Sequence, residues 1–451
     1  MLFSPSDKSV PFTAASLIHK TRSVFENLPD IRKKATANNL KYAIADAALS
    51  AFSVFFTQSP SFLDYQVRMQ KAHGKNNAQS IFGTHQLPSA NQTRNLLDPI
   101  PPEAVFPLIQ EIGDGLHQHG YLEPFRSVGE TLLVALDGTD FFASEKISCP
   151  CCSRQTLKNG HTLYRHSAIT PVIVAPGHSH VVPLPPEFIR PQDGQEKQDC
   201  ELAASKRWLN TWGAHYAPWS VTLLGDDLYC HQPYCEEAIA QGFNLLLTCK
   251  PESHALLYEW IADFERTGQI RLIEQTRKEG KRLLTERYRY TNQVPLRDSD
   301  DALMLNWCEL TITDAKGKTV YKNAWATTHK IHDGNVVEIA RAGRARWKIE
   351  NENNNVLKNH GYHFEHNFGH GKQHLSNLLA TLILLAYLLH TVLDLMDAAY
   401  RTVRSQLPSR RTFFECLRAL MLFIPFDSWE HLMEFMLRGL EAKIPDSKAW
   451  F

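Results

Sequence analysis

The sequence predicts an α/β protein whose central sheet is interrupted by a β-rich insertion and flanked by helical N-terminal and C-terminal regions. Three observations carry that expectation. Two apolar runs, residues 131–136 and 219–224, each lead into an aspartate turn, Asp137-Gly138-Thr139-Asp140 and Gly225-Asp226-Asp227, as buried strands do. Strand-like and helix-like patterns alternate between and just after them. Four β-rich runs then fill residues 270–328.

With 451 residues, 43% hydrophobic and 21% charged, the chain has the make-up of a globular protein of about two to four domains. Lys+Arg and Asp+Glu are both 48, so no net field draws it to nucleic acid or membrane and any such binding must use local patches. Basic residues gather at 20–41 (Arg22, Arg32, Lys33, Lys34), at 341–348, and at Arg401, Arg404, Arg410 and Arg411. Each of these also reads as a solvated face. The first ten residues lack the basic start and apolar run of a secretory signal, so a cytoplasmic protein is expected. The run 378–396 is broken by Thr381, His390, Thr391 and Asp394, which fits a buried core helix better than a membrane span. Nine cysteines, three of them at 149, 151 and 152, suggest reduced thiols and a metal rather than a disulfide framework.

Residues 1–125 read as a helical N-terminal region whose basic residues suit DNA-end binding and whose apolar helices suit a packing scaffold equally well. Residues 40–56 are apolar at helical spacing, Ser59-Pro60-Ser61 supplies a stop and a new N-cap, residues 71–92 read as a loop, and residues 89–97 form a capped short helix ended by Asp98-Pro99. Residues 126–250 read as strands at 131–136, 168–175 and 181–184, a helix at 199–213, a strand at 219–224, a helix at 232–241 and a strand at 243–248. That order is the order of a ribonuclease H-like core. Residues 251–334 read as a β-rich insertion, with hairpin turns at Lys278-Glu279-Gly280-Lys281 and Asp314-Ala315-Lys316-Gly317. Residues 335–400 complete the core, and 401–451 form a helical C-terminal region.

The chemistry concentrates on three carboxylates. Asp137 and Asp226 sit just beyond the C-terminal ends of predicted buried strands, where neighbouring strands would bring them to one edge. Glu350 lies in a charged stretch, residues 344–358; read as a helix, it shares a face with Arg346, with Lys358 two turns on and roughly 80° round. Singly, each aspartate reads as a turn or strand-end cap, and the glutamate as half of an intrahelical ion pair. Together they would repel unless cations hold them, and hard oxygen donors select Mg²⁺ or Mn²⁺. Two such ions about 4 Å apart can activate a water or 3′-hydroxyl and stabilise the leaving oxygen of a phosphodiester. Arg346, Lys348 and Lys358 would grip the nucleic-acid backbone, and Trp325 would either stack on a displaced base or pack in the core.

With two aspartates at strand ends, a β-rich insertion and Arg346-x3-Glu350 on a helix, the sequence resembles bacterial insertion-sequence transposases of the DDE, ribonuclease H-like superfamily. It is most similar to the subgroup with a Tyr-x2-Arg-x3-Glu-x6-Lys signature. Arg346 and Glu350 match it, Gly343 stands at the tyrosine position and Leu357 at the lysine position, with Lys358 next to it. Asp226 precedes Tyr229 by three, as the family's second aspartate precedes an aromatic, which favours it over Asp227. Further stretches, Pro186 to Ile189, Lys197 to Glu201, and Gly361 to Lys372, look like those of a poorly classified branch of these transposases. The resemblance spans about residues 30–395 and implies Mg²⁺-dependent cleavage at element ends, strand transfer into target DNA, binding to terminal inverted repeats of double-stranded DNA, and a homodimer on DNA. It also implies that Trp325 helps to hold a flipped base. The rival reading is a catalytically silent, domesticated DNA-binding protein of the same fold; all three carboxylates being present argues against it. A third is a hydrolytic nuclease without strand transfer.

One element is not required by that chemistry. Cys149, Cys152, His161 and His166 have Cys-x2-Cys-x8-His-x4-His spacing, which tetrahedral Zn²⁺ would accept as a structural centre. Cys151 is an alternative to Cys152, and a metal-free reduced turn is the competing reading. His360, His366 and His370 near the glutamate read as surface or capping residues before DNA or metal contacts. Gly369-His370-Gly371-Lys372-Gln373 lacks the first glycine and the Ser/Thr of a phosphate-binding loop, and neither a Gly-x-Ser-x-Gly elbow nor a dinucleotide glycine motif occurs.

Overall fold

The computed structural model describes residues 12–34, 41–191, 199–280 and 282–444. The N-terminal segment read for a signal, Lys197 and Gln198, the turn residue Lys281, and the side chains of Lys33 and Lys34 lie outside the described residues. The helical start is as expected: α1 (Ala14–Glu26), α2 (Ile44–Phe56), α3 (Phe62–Met69), α4 (Ala72–Phe82), α5 (Ala90–Leu97) and α6 (Phe106–Gln118). α2 is buried along nearly its whole length and stops ahead of Pro60. The Ser61 hydroxyl then accepts the Asp64 N–H at 3.0 Å to open α3, and Ser89 with Gln92 forms a capping box at the start of α5.

α4 corrects the loop expected at 71–92. Its Asn and Gly are poor helix formers. What holds it is tertiary: buried Asn77 donates to the Met421 and Ile424 carbonyls at 2.7 and 2.8 Å and accepts the Phe426 N–H at 2.8 Å. Those partners lie over three hundred residues away in sequence, so the local pattern could not carry the signal.

Next come β1 (Arg126–Ser127), β2 (Thr131–Ala135), β3 (Gly138–Ser144), β4 (Ser153–Thr156), β5 (Thr162–Ile169), β6 (Val172–Val174), β7 (Val182–Pro183) and β8 (Glu187–Ile189). After them run α7 (Glu201–Tyr216), β9 (Val221–Gly225), α8 (Gln232–Ala240), β10 (Asn244–Thr248) and α9 (Ala255–Arg266), followed by β11 (Arg271–Glu279), β12 (Arg282–Pro295), β13 (Met304–Asp314) and β14 (Thr319–Thr327). The large sheet has the order β11-β12-β13-β14-β10-β9-β2-β6-β7, with β1 added on β2; β2, β9 and β10 are its parallel strands. Every residue of β2 and β9 is buried, which explains why both read as continuous apolar runs.

The small sheet formed by β3, β4, β5 and β8 was not expected beyond residues 168–169, since its half-exposed strands lack the unbroken apolar runs of β2 and β9, and two boundaries also differ from expectation. Residues 168–175 are two strands, because Pro171 cannot donate to a ladder: β5 ends in a small sheet (β3-β5-β4, with β8 on β5) and β6 begins in the large one. Residues 251–334 also open with a helix, α9, whose buried Leu257 and Ile261 are one turn apart. The strands that follow do not form a sheet of their own, since β14 pairs with β10 (Leu246 opposite Thr327) and continues the central sheet.

The remaining helices are α10 (Val336–Arg344), a π-helical turn (Ile349–Asn354), α11 (Asn355–Asn359), α12 (Leu375–Met396), α13 (Ala398–Gln406), α14 (Arg410–Phe423) and α15 (Trp429–Gly439), so the C-terminal region is helical as expected. α12 is long and apolar enough to cross a membrane, but 89% of its most apolar window is buried inside the protein, against α2 and β7. Its entry is fixed by Asp98, whose carboxylate accepts the backbone N–H groups of Lys372 (3.0 Å), Gln373 (3.0 Å) and Leu375 (3.2 Å). Asp98→Ala is expected to cost about 2 kcal/mol in urea unfolding, with Asp98→Asn recovering part of it. An unchanged midpoint would show that this segment is held by other contacts.

Candidate active site and metal centre

β2 and β9 are parallel neighbours in register, Ala135 beside Leu224, so the chain turns that follow them emerge at the same sheet edge. Those turns carry Asp137 and Asp226. Asp226 caps the turn after β9 by accepting the Leu228 N–H at 2.8 Å. Asp227 points elsewhere: it accepts the Lys250 N–H at 2.6 Å, binds the Ser253 hydroxyl, and lies 3.3 Å from His254 Nε2. The charge of Asp226 is among the larger ones acting on Asp137.

Glu350 reaches this edge from a differently shaped helix than expected. Residues 344–358 are not one α-helix; a π-helical turn at Ile349–Asn354 separates α10 from α11. The turn is tied to the first aspartate through side-chain amides. Asn354 donates to Asp137 Oδ2 at 3.3 Å, while Asn353 and Asn354 bracket the Thr170 hydroxyl at 3.2 and 3.3 Å. Thr170 in turn donates its N–H to the Asp137 carbonyl at 3.2 Å. On the same turn Glu350 accepts from Arg346 at 2.9 Å, the pairing expected at this spacing.

A fourth carboxylate joins the group. Glu201, the first residue of α7, accepts from the buried Tyr229 hydroxyl at 2.7 Å and lies so close to Gly138 that a Cβ there would come within 2.4 Å of Glu201 Oε2. Gly138 is therefore a close-approach position next to Asp137. Nothing local in the sequence marks Glu201, because an acidic residue in a first helical turn is what the helix dipole favours anyway.

Half-buried Asp137 feels all of this. Desolvation, then Glu201, Glu350 and Asp226, push its carboxyl up to about 7, against the opposing pull of Arg346. An aspartate in an unfolded chain titrates near 3.9. Between the two values the folded protein keeps a proton that the unfolded chain has lost, so the stabilisation is complete below about pH 4 and is lost as pH rises through about 7. In chelator, the unfolding free energy is expected to fall from pH 5 to pH 8 by up to roughly 2.5 kcal/mol more in the wild type than in Asp137→Asn. Equal slopes in the two proteins would refute the shift.

The basic and aromatic residues of the expected DNA contact set are placed as follows. Arg346 is largely buried in its pair with Glu350, Lys348 donates to the His178 carbonyl, and Lys358 pairs with Glu365 at 2.8 Å. Trp325 corrects the base-stacking expectation: it is 1% exposed, and its ring fills the space over Gly343, where a Cβ would lie 2.6 Å from the indole. Trp347, 50% exposed, is the aromatic this segment offers to solvent, beside exposed Arg341 and Arg344. The C-terminal basic cluster is no free cationic face either, since Arg404 and Arg410 turn inward to Asp394 and Arg411 pairs with Glu415.

Two Cys/His groups among the described residues have donor atoms mutually within 4.8 Å and could hold a metal ion: Cys149, Cys152, His166 and His370, and the three-donor set Cys230, Cys249 and His254. Among the described residues the acidic side chains form no group that tight. The first set corrects the expected ligands. His161 is exposed and paired with Glu145 at 2.8 Å, and His370, expected as a surface or capping residue, is buried beside the cysteines. Cys151 instead points its thiol at the Gln373 carbonyl. His370 lies 218 residues beyond Cys152, outside the reach of any spacing argument. Burial, with His370 alongside, pushes the His166 imidazole down to about 3, which keeps it neutral.

No protein-family model matches the chain, and no curated protein matches it.

Proposed function

We propose that this protein is a DNA transposase of the DDE type, built on a ribonuclease H-like core, that cleaves at insertion-sequence ends and transfers the freed strand into target DNA. What supports the reading is that Asp137 and Asp226 follow two adjacent parallel strands and that the charges of Glu350 and Asp226 both act to raise the Asp137 pKa. Such a site suits hard cations: its donors are carboxylate oxygens, its repulsion is uncompensated apart from Arg346, and it is spread wider than one ion requires. Bound there, a pair of Mg²⁺ or Mn²⁺ ions would supply Lewis-acid stabilisation of the phosphodiester oxygens and activation of water or a 3′-hydroxyl.

The chain's own residues then have distinct parts. Asp137, Asp226 and Glu350 would hold the ions, with Glu201 against Gly138 beside Asp137; Asn354 orients Asp137 and ties the π turn to it. Arg346 holds Glu350 in place and would contact a DNA phosphate. Exposed Arg341, Arg344 and Trp347, with Lys358, line the approach, and the helical N-terminal region helps to hold terminal repeats in a dimer on DNA. A bacterial cytoplasm is the matching compartment.

The test is incubation of purified protein with DNA carrying the flanking ends of its own gene, with and without Mg²⁺. Mg²⁺-dependent 3′-hydroxyl ends that join to target DNA are expected. Cleavage without joining would reassign the protein to hydrolytic nucleases, and binding without either would make it a silent DNA-binding protein.

A further inference from the structure

We infer that Cys149, Cys152, His166 and His370 form a tetrahedral zinc centre that staples the segment after Asp137 to the segment after Glu350. The two sulfurs are 3.8 Å apart, each lies 3.4 Å from His166 Nε2, and Cys152 Sγ lies 3.6 Å from His370 Nε2. Zn–S bonds of about 2.3 Å and Zn–N bonds of about 2.0 Å at tetrahedral angles give S–S edges of roughly 3.8 Å and S–N edges of roughly 3.5 Å. The observed separations are the edges of that polyhedron.

The surroundings fit a closed, structural ion. The Cys-Pro-Cys-Cys turn brings the Cys149 N–H to Cys152 Sγ at 3.4 Å, which favours thiolate there. Phe142 covers the His370 ring at 4.4 Å between centroids and Phe141 lies 5.7 Å from His166, so water has little access. Both imidazoles turn Nε2 toward the same sulfur, as two ligands of one ion would. Tetrahedral S₂N₂ donors in a reducing compartment select Zn²⁺.

The placement gives the ion its purpose. Cys149, Cys152 and His166 belong to the β3–β5 hairpin, which begins directly after Asp137; His370 belongs to the link between α11, just beyond the Glu350 turn, and α12. The ion therefore bridges two parts of the chain that each carry a carboxylate of the acidic site. It does so whatever reaction that site performs.

Protein purified under reducing conditions without chelator is expected to contain about one zinc per chain by elemental analysis. His161→Ala should keep it and His370→Ala should lose it. His370→Cys guards against simple misfolding: it should keep the metal and, with Co²⁺ in place of zinc, strengthen the sulfur-to-metal charge-transfer absorption, while His161→Cys leaves that absorption unchanged. Stripping the zinc should speed amide exchange in residues 145–166 and 360–374 and spare β2 and β9. Zinc lost from the His161 variant and kept by the His370 variant, or a wild type that neither contains nor takes up zinc, would overturn the centre. Exchange unchanged on stripping would overturn the staple. None of these readouts involves DNA, so failure of the transposase reading would leave them intact.

Discussion

Glu350→Gln is expected to abolish Mg²⁺-dependent cleavage of element-end DNA while leaving the protein folded. The substitution keeps the shape of the side chain and its acceptor oxygen for Arg346, 2.9 Å away, but removes the charge that would hold a cation at the strand edge. Loss of one metal-binding carboxylate withdraws several kcal/mol of transition-state stabilisation, so the rate should drop about a thousand-fold or more. Glu350 is 37% exposed, so little stability depends on it. Asp137→Asn and Asp226→Asn should behave alike, and Asp227→Asn should not, because Asp227 is engaged with Lys250 and Ser253. Full cleavage by the Glu350 variant would remove the carboxylate trio from the mechanism. Cleavage lost equally in the Asp227 variant would place the second ligand one residue on.

The largest stability effect is expected at Asp394. Its carboxylate is 13% exposed at the end of α12 and faces Arg410 at 3.9 Å, Arg404 at 4.0 Å and His180 at 4.0 Å. Arg404 Nε and Nη1 are buried without hydrogen bonds, so the charge of Asp394 is what compensates that guanidinium. Arg410 is further tied to the Tyr362 hydroxyl at 2.9 Å, which contacts His390 Nδ1 at 2.7 Å inside the core. Removing the carboxylate strands two poorly solvated cations beside one another, and Asp394→Ala should cost about 3–5 kcal/mol. Denaturant unfolding followed at two wavelengths would measure it. A midpoint within experimental error of the wild type would mean that the arginines reach water in solution and that the C-terminal helices are held on α12 by apolar contact alone.

Much of the fold was legible because burial writes itself into composition. β2 and β9 are buried on both faces and so appear as unbroken apolar runs, and α12 could be told from a membrane span by the polar residues breaking it. Ser61 and Ser89 marked helix starts because a cap is a property of three or four consecutive residues. α4 was missed since Asn77 finds its partners near Met421, and α9 was missed among strongly β-patterned neighbours. The site divides in the same way. Asp137 and Asp226 were legible as acidic residues following buried strands and Glu350 by its spacing from Arg346, whereas Glu201 and His370 lay in stretches whose local pattern gave neither its place; Trp325 took the core position that was one of its two readings, and His161 was given a ligand role that an ion pair denies it.

By itself the sequence determined the parallel strands β2, β9 and β10 and the helices between them, which acidic residues follow the first two, and that a Cys/His loop follows the first of those. All of that depends on neighbours along the chain. Only the tertiary structure decided that Glu201 stands against Gly138 beside Asp137, that Trp325 closes over Gly343, and that His370 completes the cysteine set. Those relations join residues tens to hundreds of positions apart, and a contact made across folded layers leaves no period or spacing in the sequence to read.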